Sequence, residues 1–311
     1  KGEADILDGE PFECPMEPFG GIEQLAWSPD SKHIAFTCRC KTGLDYSIST
    51  DSDIFLYDVE TKETKNLCKP ADYQEPAIEP TKTMKYQAVN QQEGDYNVGY
   101  DQNPKFSSDG HYVAWLSMER NGYESDRQRL CIYDLKEGTK QYVTESFDSS
   151  VDDFCWAPDS YTLYYIGVWH GTENLYKTNL KGEVKQLSED WADFGALQMF
   201  SEKSLIMERH SYTAPADLYV VTPGESAEGT QIKQLTEVNK DILDQLAKPI
   251  VEQRWVKTTD GKEMLTWVIL PPHFDPAKKY PTLLFCEGGP QSAVSQFWSY
   301  RWNFFIMASQ G

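Results

Sequence analysis

The sequence predicts a mainly β protein: a partial β-propeller of about four blades, followed by the start of an α/β domain. Two observations carry this. A unit of aromatic, turn and three short strands occurs four times between Trp27 and Thr236. The pattern then changes near residue 245 to a hairpin and a near-continuous apolar run. Repeats of 40–50 residues with four strands each are the size of a propeller blade.

The first unit opens with Trp27-Ser28-Pro29-Asp30-Ser31 and continues through Ile34–Phe36, Ile54–Asp58 and Thr64–Leu67. The second opens with Phe106-Ser107-Ser108-Asp109-Gly110 and runs through Val113–Leu116, Leu130–Asp134 and Lys140–Thr144. The third opens with Trp156-Ala157-Pro158-Asp159-Ser160, then Leu163–Ile166, Leu175–Lys177 and Val184–Leu187. The fourth opens with Phe200-Ser201-Glu202-Lys203, then Leu205–Met207, Leu218–Val221 and Ile232–Thr236. Pro presets φ at these openings, and Asp with Gly or Ser accepts turn geometry. The strand segments are rich in aromatic and β-branched residues. A β-sandwich would supply similar strands but not the same opening four times.

Three stretches fall outside the repeat. Lys1–Pro18 reads as the outer strand of an earlier blade, which suggests further blades upstream. Cys68–Asn103 has little strand pattern and reads as a surface excursion, or else a lid; loops of this length carry function or disorder. Beyond Asp241–Leu246, a short helix or linker, Arg254–Thr258 and Glu263–Leu270 form a hairpin about Asp260-Gly261. Thr282–Cys286 reads as a strand buried on both faces, followed by Glu287-Gly288-Gly289-Pro290. Phe297–Gln310 reads as a helix whose aromatic residues form core. The domains are thus 1–245, propeller, and 246–311, linker and first strands of a truncated α/β domain.

Composition narrows the function. The 311 residues hold 49 Asp+Glu against 29 Lys+Arg, a net charge of −20. Such a field repels phosphate, so nucleic acid is not an expected partner. No apolar run approaches the ~20 residues of a membrane span. The seven cysteines are odd in number and scattered, unlike a disulfide framework, and read as free, mostly buried thiols, with one accidental disulfide in an oxidising compartment as the alternative. Cys38 and Cys40 stand two apart, so on a strand their thiols face one side. Neither a second close pair nor a nearby His completes a zinc site. No metal and no cofactor are expected.

Taken together, the propeller repeats, Lys278-Lys279-Tyr280-Pro281, the apolar strand and the Gly-Gly-Pro turn resemble the prolyl oligopeptidase family of serine peptidases. Within it the chain is most similar to the dipeptidyl-peptidase V and acylaminoacyl-peptidase branch. Three stretches carry that likeness: Tyr100–Pro104 through Met118–Arg127, Ser211 through Ala214–Tyr219, and Asp260–Gln291. The resemblance implies an α/β-hydrolase peptidase domain after the propeller and peptide substrates. It implies a nucleophilic Ser in Gly-x-Ser-x-Gly with Asp and His partners. That motif does not occur in these 311 residues, so the chain reads as an inactive internal fragment whose triad lies beyond Gly311. His33, His111, His170, His210 and His273 read as surface or strand histidines.

Two pieces of peptidase chemistry are expected within the chain. The resemblance assigns an oxyanion-binding N–H to Gly289, with Gly288 giving the turn its freedom; the plain alternative is a β-to-α turn that needs small residues. A dipeptidyl-peptidase must also hold a free α-amine. Glu119 and Glu208, each at a strand end in a Met-Glu-Arg context, are the candidates, against a simple Glu–Arg pair. The expected activity is release of dipeptides from free N-termini. The alternatives are an acylaminoacyl-peptidase and a non-catalytic periplasmic binding propeller. Relatives suggest a periplasmic location, with the cytoplasm as alternative, and self-association stays open.

Overall fold

A computed structural model describes residues 5–7, 10–18, 20–74, 98–122, 126–286 and 293–311. It contains four antiparallel four-stranded sheets, each with its strands side by side in chain order, and one two-stranded hairpin. The first sheet is β1 (Leu25–Trp27), β2 (His33–Cys38), β3 (Asp53–Asp58) and β4 (Thr64–Asn66). The second is β5 (Asp101–Phe106), β6 (Tyr112–Ser117), β7 (Arg129–Asp134) and β8 (Thr139–Tyr142). The third is β9 (Val151–Trp156), β10 (Thr162–Trp169), β11 (Thr172–Asn179) and β12 (Lys185–Gln186). The fourth is β13 (Asp193–Ser201), β14 (Ser204–Ser211), β15 (Ala214–Thr222) and β16 (Gln231–Gln234). The hairpin is β17 (Ile250–Lys257) and β18 (Glu263–Leu270).

These four sheets are the four sequence repeats. The aromatic that opens each repeat lies at or near the end of a first strand: Trp27, Phe106 and Trp156 are terminal, and Phe200 is one short of the end. The turn that follows uses the same chemistry twice. The Ser28 hydroxyl donates to Asp30 (2.6 Å) and accepts from the His33 N–H (2.9 Å). The Ser107 hydroxyl donates to Asp109 (2.6 Å) and accepts from the Tyr112 N–H (3.0 Å). Such local bonds replace ladder bonds at the bend. The next hairpins are closed by Asp58 and Asp134, each accepting two backbone N–H groups at 2.8–2.9 Å.

The chain divides into two compact units. The first comprises Lys1–Val151, Trp156–Leu163 and Thr178–Val184; the second comprises Asp152–Cys155, Tyr164–Lys177 and Lys185–Gly311. In the first, Ala35, Ile54, Leu67, Val113, Trp115 and Cys131 are buried together. In the second, Ile166, Leu175, Leu187, Phe194, Leu205 and Met207 do the same. In strand segments such as Ile54–Leu56 and Leu205–Met207, alternate residues supply these cores, as the two-residue period of a half-buried strand requires.

Several expectations are corrected. No strand occurs among the described residues of 1–18; Pro11, Pro15 and Pro18 lack the N–H a ladder needs. Residues 281–286 form no strand and pair with none of the described residues, whereas a strand buried on both faces needs neighbours. The helix expected over Phe297–Gln310 shrinks to α3. Labelling the helices in order, they are α1 (Gly43–Ile48), α2 (Lys240–Leu243) and α3 (Phe304–Ser309). The Ser299 hydroxyl accepts from the Arg301 and Trp302 N–H groups (3.2 and 2.8 Å), which bends the chain before a helix can start. Asn303 then caps α3 by accepting from the Ile306 N–H at 2.9 Å. The aromatic cluster is partly core: Phe305 is buried, while Tyr300 is 82% exposed. The hairpin is present, with Gly261 at φ +85° in its turn, although its loop spans 258–262 rather than two residues. All seven cysteines are free; Cys38, Cys68 and Cys131 are buried, and Cys40 and Cys286 are exposed. Most of the Cys68–Asn103 excursion lies outside the described residues.

Candidate functional site

Within the second unit, β13 and β14 build one acidic face. Asp193 stands opposite His210 and Gly195 opposite Glu208, so alternation places all four on the same side of the sheet. Glu208 is exposed. A Cβ on Gly195 would meet no atom within 4 Å, so the space beside the Glu208 carboxylate is open. Glu208 is not at a strand end, as the sequence suggested, but inside β14. Arg209 turns away from it, 3.5 Å from Asp190 and stacked on Tyr219. The alternative of a simple Glu208–Arg209 pair is therefore not borne out.

Asp193 lies at the root of that face and is fully buried. One carboxylate oxygen accepts from the Glu173 N–H (3.0 Å) and the Gln296 N–H (3.1 Å); the other accepts from the Ser295 hydroxyl (2.7 Å) and lies 3.7 Å from His210 Nε2. Burial pushes its carboxyl up despite these donors. Burial, with the charges of Asp193 and Asp152, pushes the Glu173 carboxyl up to about 8. Asp152 is exposed as a residue, yet local desolvation of its carboxyl, with the Asp153 and Asp193 charges, pushes it up to about 6. Three carboxyl groups thus share a region where full ionisation is costly, and where a proton or a cation is favoured.

Glu119 lies in the first unit, exposed, two residues beyond β6. Its backbone is clamped: Asp126 accepts from the Glu119 N–H (3.0 Å) and the Arg120 N–H (2.9 Å) and pairs with the Arg120 guanidinium at 2.7 Å. Burial opposes that arrangement, but the Arg120 contacts hold the Asp126 carboxyl below its ordinary range. Arg120 thus pairs with Asp126 rather than with its neighbour Glu119. Asn121 accepts from the Ser49 hydroxyl (3.1 Å) and the Thr50 N–H (2.9 Å), tying this loop to the end of α1. Glu119 and Glu208 fall in different units.

Gly288 and Gly289 lie outside the described residues. The histidines are placed as structural groups: His33 is 3.5 Å from Asp58, His111 is 3.0 Å from Asp134, and His170 stacks on Trp169. One group has metal-ligand chemistry. Ligand atoms of Asp53, Cys68 and Asp101 lie within 4.8 Å of one another, all buried. Asp101 already accepts from the Trp115 indole N–H (2.8 Å), Cys68 from the Ile54 N–H (3.2 Å), and Asp53 is paired with the Lys69 ammonium at 3.0 Å. That fits an internal hydrogen-bond network better than an ion. Sequence reasoning missed Asp193, Glu173 and Asp152. A signal existed: Asp101, Asp152 and Asp193 stand at or next to the start of the first strand in three repeats.

The chain is 44% identical over 311 residues to dipeptidyl-peptidase 5 of Porphyromonas gingivalis, covering 99% of this chain and 40% of that protein. The chain is a homologue of the dipeptidyl-peptidase 5 proteins. It is also 41% identical to the Porphyromonas endodontalis protein of that name and 29% identical to that of Aspergillus fumigatus. It spans about 40% of the length of these relatives. No family model matches. Among solved structures, the fold is similar to Pyrococcus horikoshii acylaminoacyl peptidase, with a TM-score of 0.53, 17% identity, and coverage of 92% of this chain and 56% of that one. It is similar also to Porphyromonas gingivalis dipeptidyl peptidase 4, with a TM-score of 0.51, 15% identity, and coverage of 92% and 47%. No helix among the described residues is long and apolar enough to cross a membrane.

Proposed function

We propose that this chain is part of a serine exopeptidase that releases dipeptides from the free N-termini of short peptides. The observation that carries the reading is the 44% identity to a dipeptidyl-peptidase 5 over 99% of the chain. In this reading residues 1–245 belong to a propeller that restricts access, and residues 246–311 open the α/β-hydrolase peptidase domain. Serine, acid and base lie outside the 311 residues. Gly289 supplies one oxyanion N–H and Gly288 the freedom of its turn. A periplasmic compartment is assigned on the likeness alone.

Of the two amine-binding candidates, Glu208 is the better supported. Its carboxylate is exposed beside the open space at Gly195 and lies on the same face as Asp193. A protonated α-amine placed there meets negative potential from both groups, and the raised Asp193, Glu173 and Asp152 carboxyls gain by ionising beside it. Glu119 is held in a preset loop whose neighbouring carboxylate, Asp126, is already paired with Arg120. The test uses the longer protein that contains this chain. Labelling by a fluorophosphonate probe, with dipeptide release from free but not acetylated N-termini, is expected. Glu208→Gln should raise KM for free-amine substrates about tenfold, the worth of roughly 1.4 kcal/mol, with kcat little changed. Release from acetylated substrates alone would replace the reading with an acylaminoacyl-peptidase. Absence of labelling would leave a binding propeller.

A further inference from the structure

We propose that Cys38 and Cys40 form a peroxide-sensitive dithiol, oxidised as a pair to an intrachain disulfide. Cys38 ends β2, and the chain bends immediately after it: the Lys41 N–H donates to the Arg39 carbonyl at 2.8 Å. The bend brings the two sulfurs to 4.0 Å. Cys40 is exposed while Cys38 is buried, so an incoming oxidant meets Cys40 first. Both border a cavity of about 720 Å³, with Phe12, Phe36 and Phe55 on its apolar side and Lys69 among its polar groups. A small neutral oxidant such as hydrogen peroxide fits a space of that size and lining.

The surroundings sort the two thiols into different roles. Lys41 reaches Asp51 at 3.1 Å, and Lys69 reaches Asp51 at 2.6 Å and Asp53 at 3.0 Å. Asp53 stands directly opposite Cys38 in the β2–β3 ladder. The contact between the two sulfurs, with the Lys69 and Lys41 charges, lowers Cys40 below the ordinary thiol range, against burial. The same contact, with burial, pushes Cys38 up. An exposed thiol with a lowered pKa in contact with a buried second thiol is the arrangement that favours selective oxidation.

The step balances as follows. The Cys40 thiolate attacks one peroxide oxygen, the O–O bond breaks, and hydroxide leaves and takes a proton to become water. Cys40 is then a sulfenic acid. Cys38 sulfur attacks Cys40 sulfur, the S–O bond breaks, and the second oxygen leaves as water with the Cys38 proton. Two thiols have lost two electrons and two protons, and one peroxide has become two waters. A disulfide between residues two apart closes a very small ring, so the bond is strained and readily reduced again.

The test is peptide mapping of the 311-residue chain after titration with hydrogen peroxide. Trypsin cuts after Arg39, so the pair appears as the peptide ending at Arg39 joined to Cys40-Lys41. That linked species is expected first, before oxidation of exposed Cys286, and dithiothreitol should reverse it. Iodoacetamide at neutral pH should modify Cys40 at least about tenfold faster than Cys286. Cys38→Ser should leave a sulfenic acid on Cys40 that dimedone traps, and Cys40→Ser should abolish the fast phase. Linkage to Cys14 instead, or recovery of both peptides reduced after Cys286 has oxidised, would overturn the proposal. Mapping of the unmutated chain decides the matter even if a variant fails to fold.

Discussion

Two carboxylate networks, one in each unit and each built around a buried aspartate, meet their charge by different means. In the first unit Asp51 and Asp53 face ammonium groups: Lys69 bridges them at 2.6 and 3.0 Å, and Lys41 meets Asp51 at 3.1 Å. Asn66 adds a donor to Asp53 at 2.8 Å. In the second unit Asp193 is held by two backbone N–H groups and a hydroxyl, with His210 nearby. Among the described residues no lysine or arginine pairs with Asp152, Glu173 or Asp193. The first network carries two ammonium groups that offset its carboxylates, although burial still pushes the Asp53 carboxyl up to about 6. The second has its hydrogen bonds but lacks its countercharge, which makes it a place where a proton or a cation gains. Satisfying a buried carboxylate and neutralising it are separate tasks.

The largest effect that would break this contrast is Lys69→Met. Lys69 is buried, and burial alone would pull its ammonium down; the Asp53 and Asp51 charges override that and push it up. Removing the ammonium strands two carboxylates, a class of change that costs about 3–5 kcal/mol. Urea unfolding should show the first unit losing that much while the second keeps its midpoint. A loss under 1 kcal/mol would mean that Lys41 and solvent suffice.

The second unit should instead show its character in pH. Asp152 and Glu173 are raised to about 6 and about 8, above their unfolded values, so the folded state binds more protons than the unfolded. Stability is then fully present near pH 4 and is lost as pH rises through about 6 and about 8. Glu173→Gln removes the later part of that loss. It should match the parent at pH 4 and exceed it by about 1–2 kcal/mol at pH 8, a figure discounted because the carboxyl is partly exposed. Equal stability at both pH values would mean that Glu173 ionises without cost. Full-length substrate binding should sharpen the point, since a bound amine would reverse the slope.

The turns of the first two repeats were more legible in the sequence than the carboxylate networks, for physical reasons. Trp27-Ser-Pro-Asp and Phe106-Ser-Ser-Asp announce their turns because the bonds that shape them span two to five residues. Local chemistry leaves local signatures. The contacts of Asp193 with Ser295 and Gln296 join residues about a hundred positions apart, and no spacing rule reaches that far. The expectation for Glu208 depended on a local Met-Glu-Arg motif and misplaced it at a strand end, because the β14–β15 hairpin extends to Ser211. The helix over Phe297–Gln310 failed for the opposite reason. Its apolar pattern was read without Ser299, whose hydroxyl competes for the same backbone N–H groups. The expectation that Cys38 and Cys40 share a strand face did not foresee their contact: β2 ends at Cys38, and the bend after it brings the two sulfurs to 4.0 Å.

The smallest predicted effect is the most discriminating. Glu208 is exposed, stands opposite a glycine, and has open space beside it. If it is only a surface carboxylate, Glu208→Gln changes nothing but one solvated charge, and surface changes of that kind stay within about 0.5 kcal/mol. If it adds to the unneutralised field of Asp193, removing it relieves like-charge repulsion. The chain should then become slightly more stable, by a few tenths of a kcal/mol up to about 0.5, and the gain should vanish in high salt because exposed charges are screened. A residue retained at a slight cost in stability, beside open space and next to buried carboxyls, fits ligand binding better than packing. Denaturation at low and high ionic strength measures this on the 311-residue chain, without catalysis. A loss of stability on substitution would show that Glu208 makes a folding contact and would remove it from the amine site.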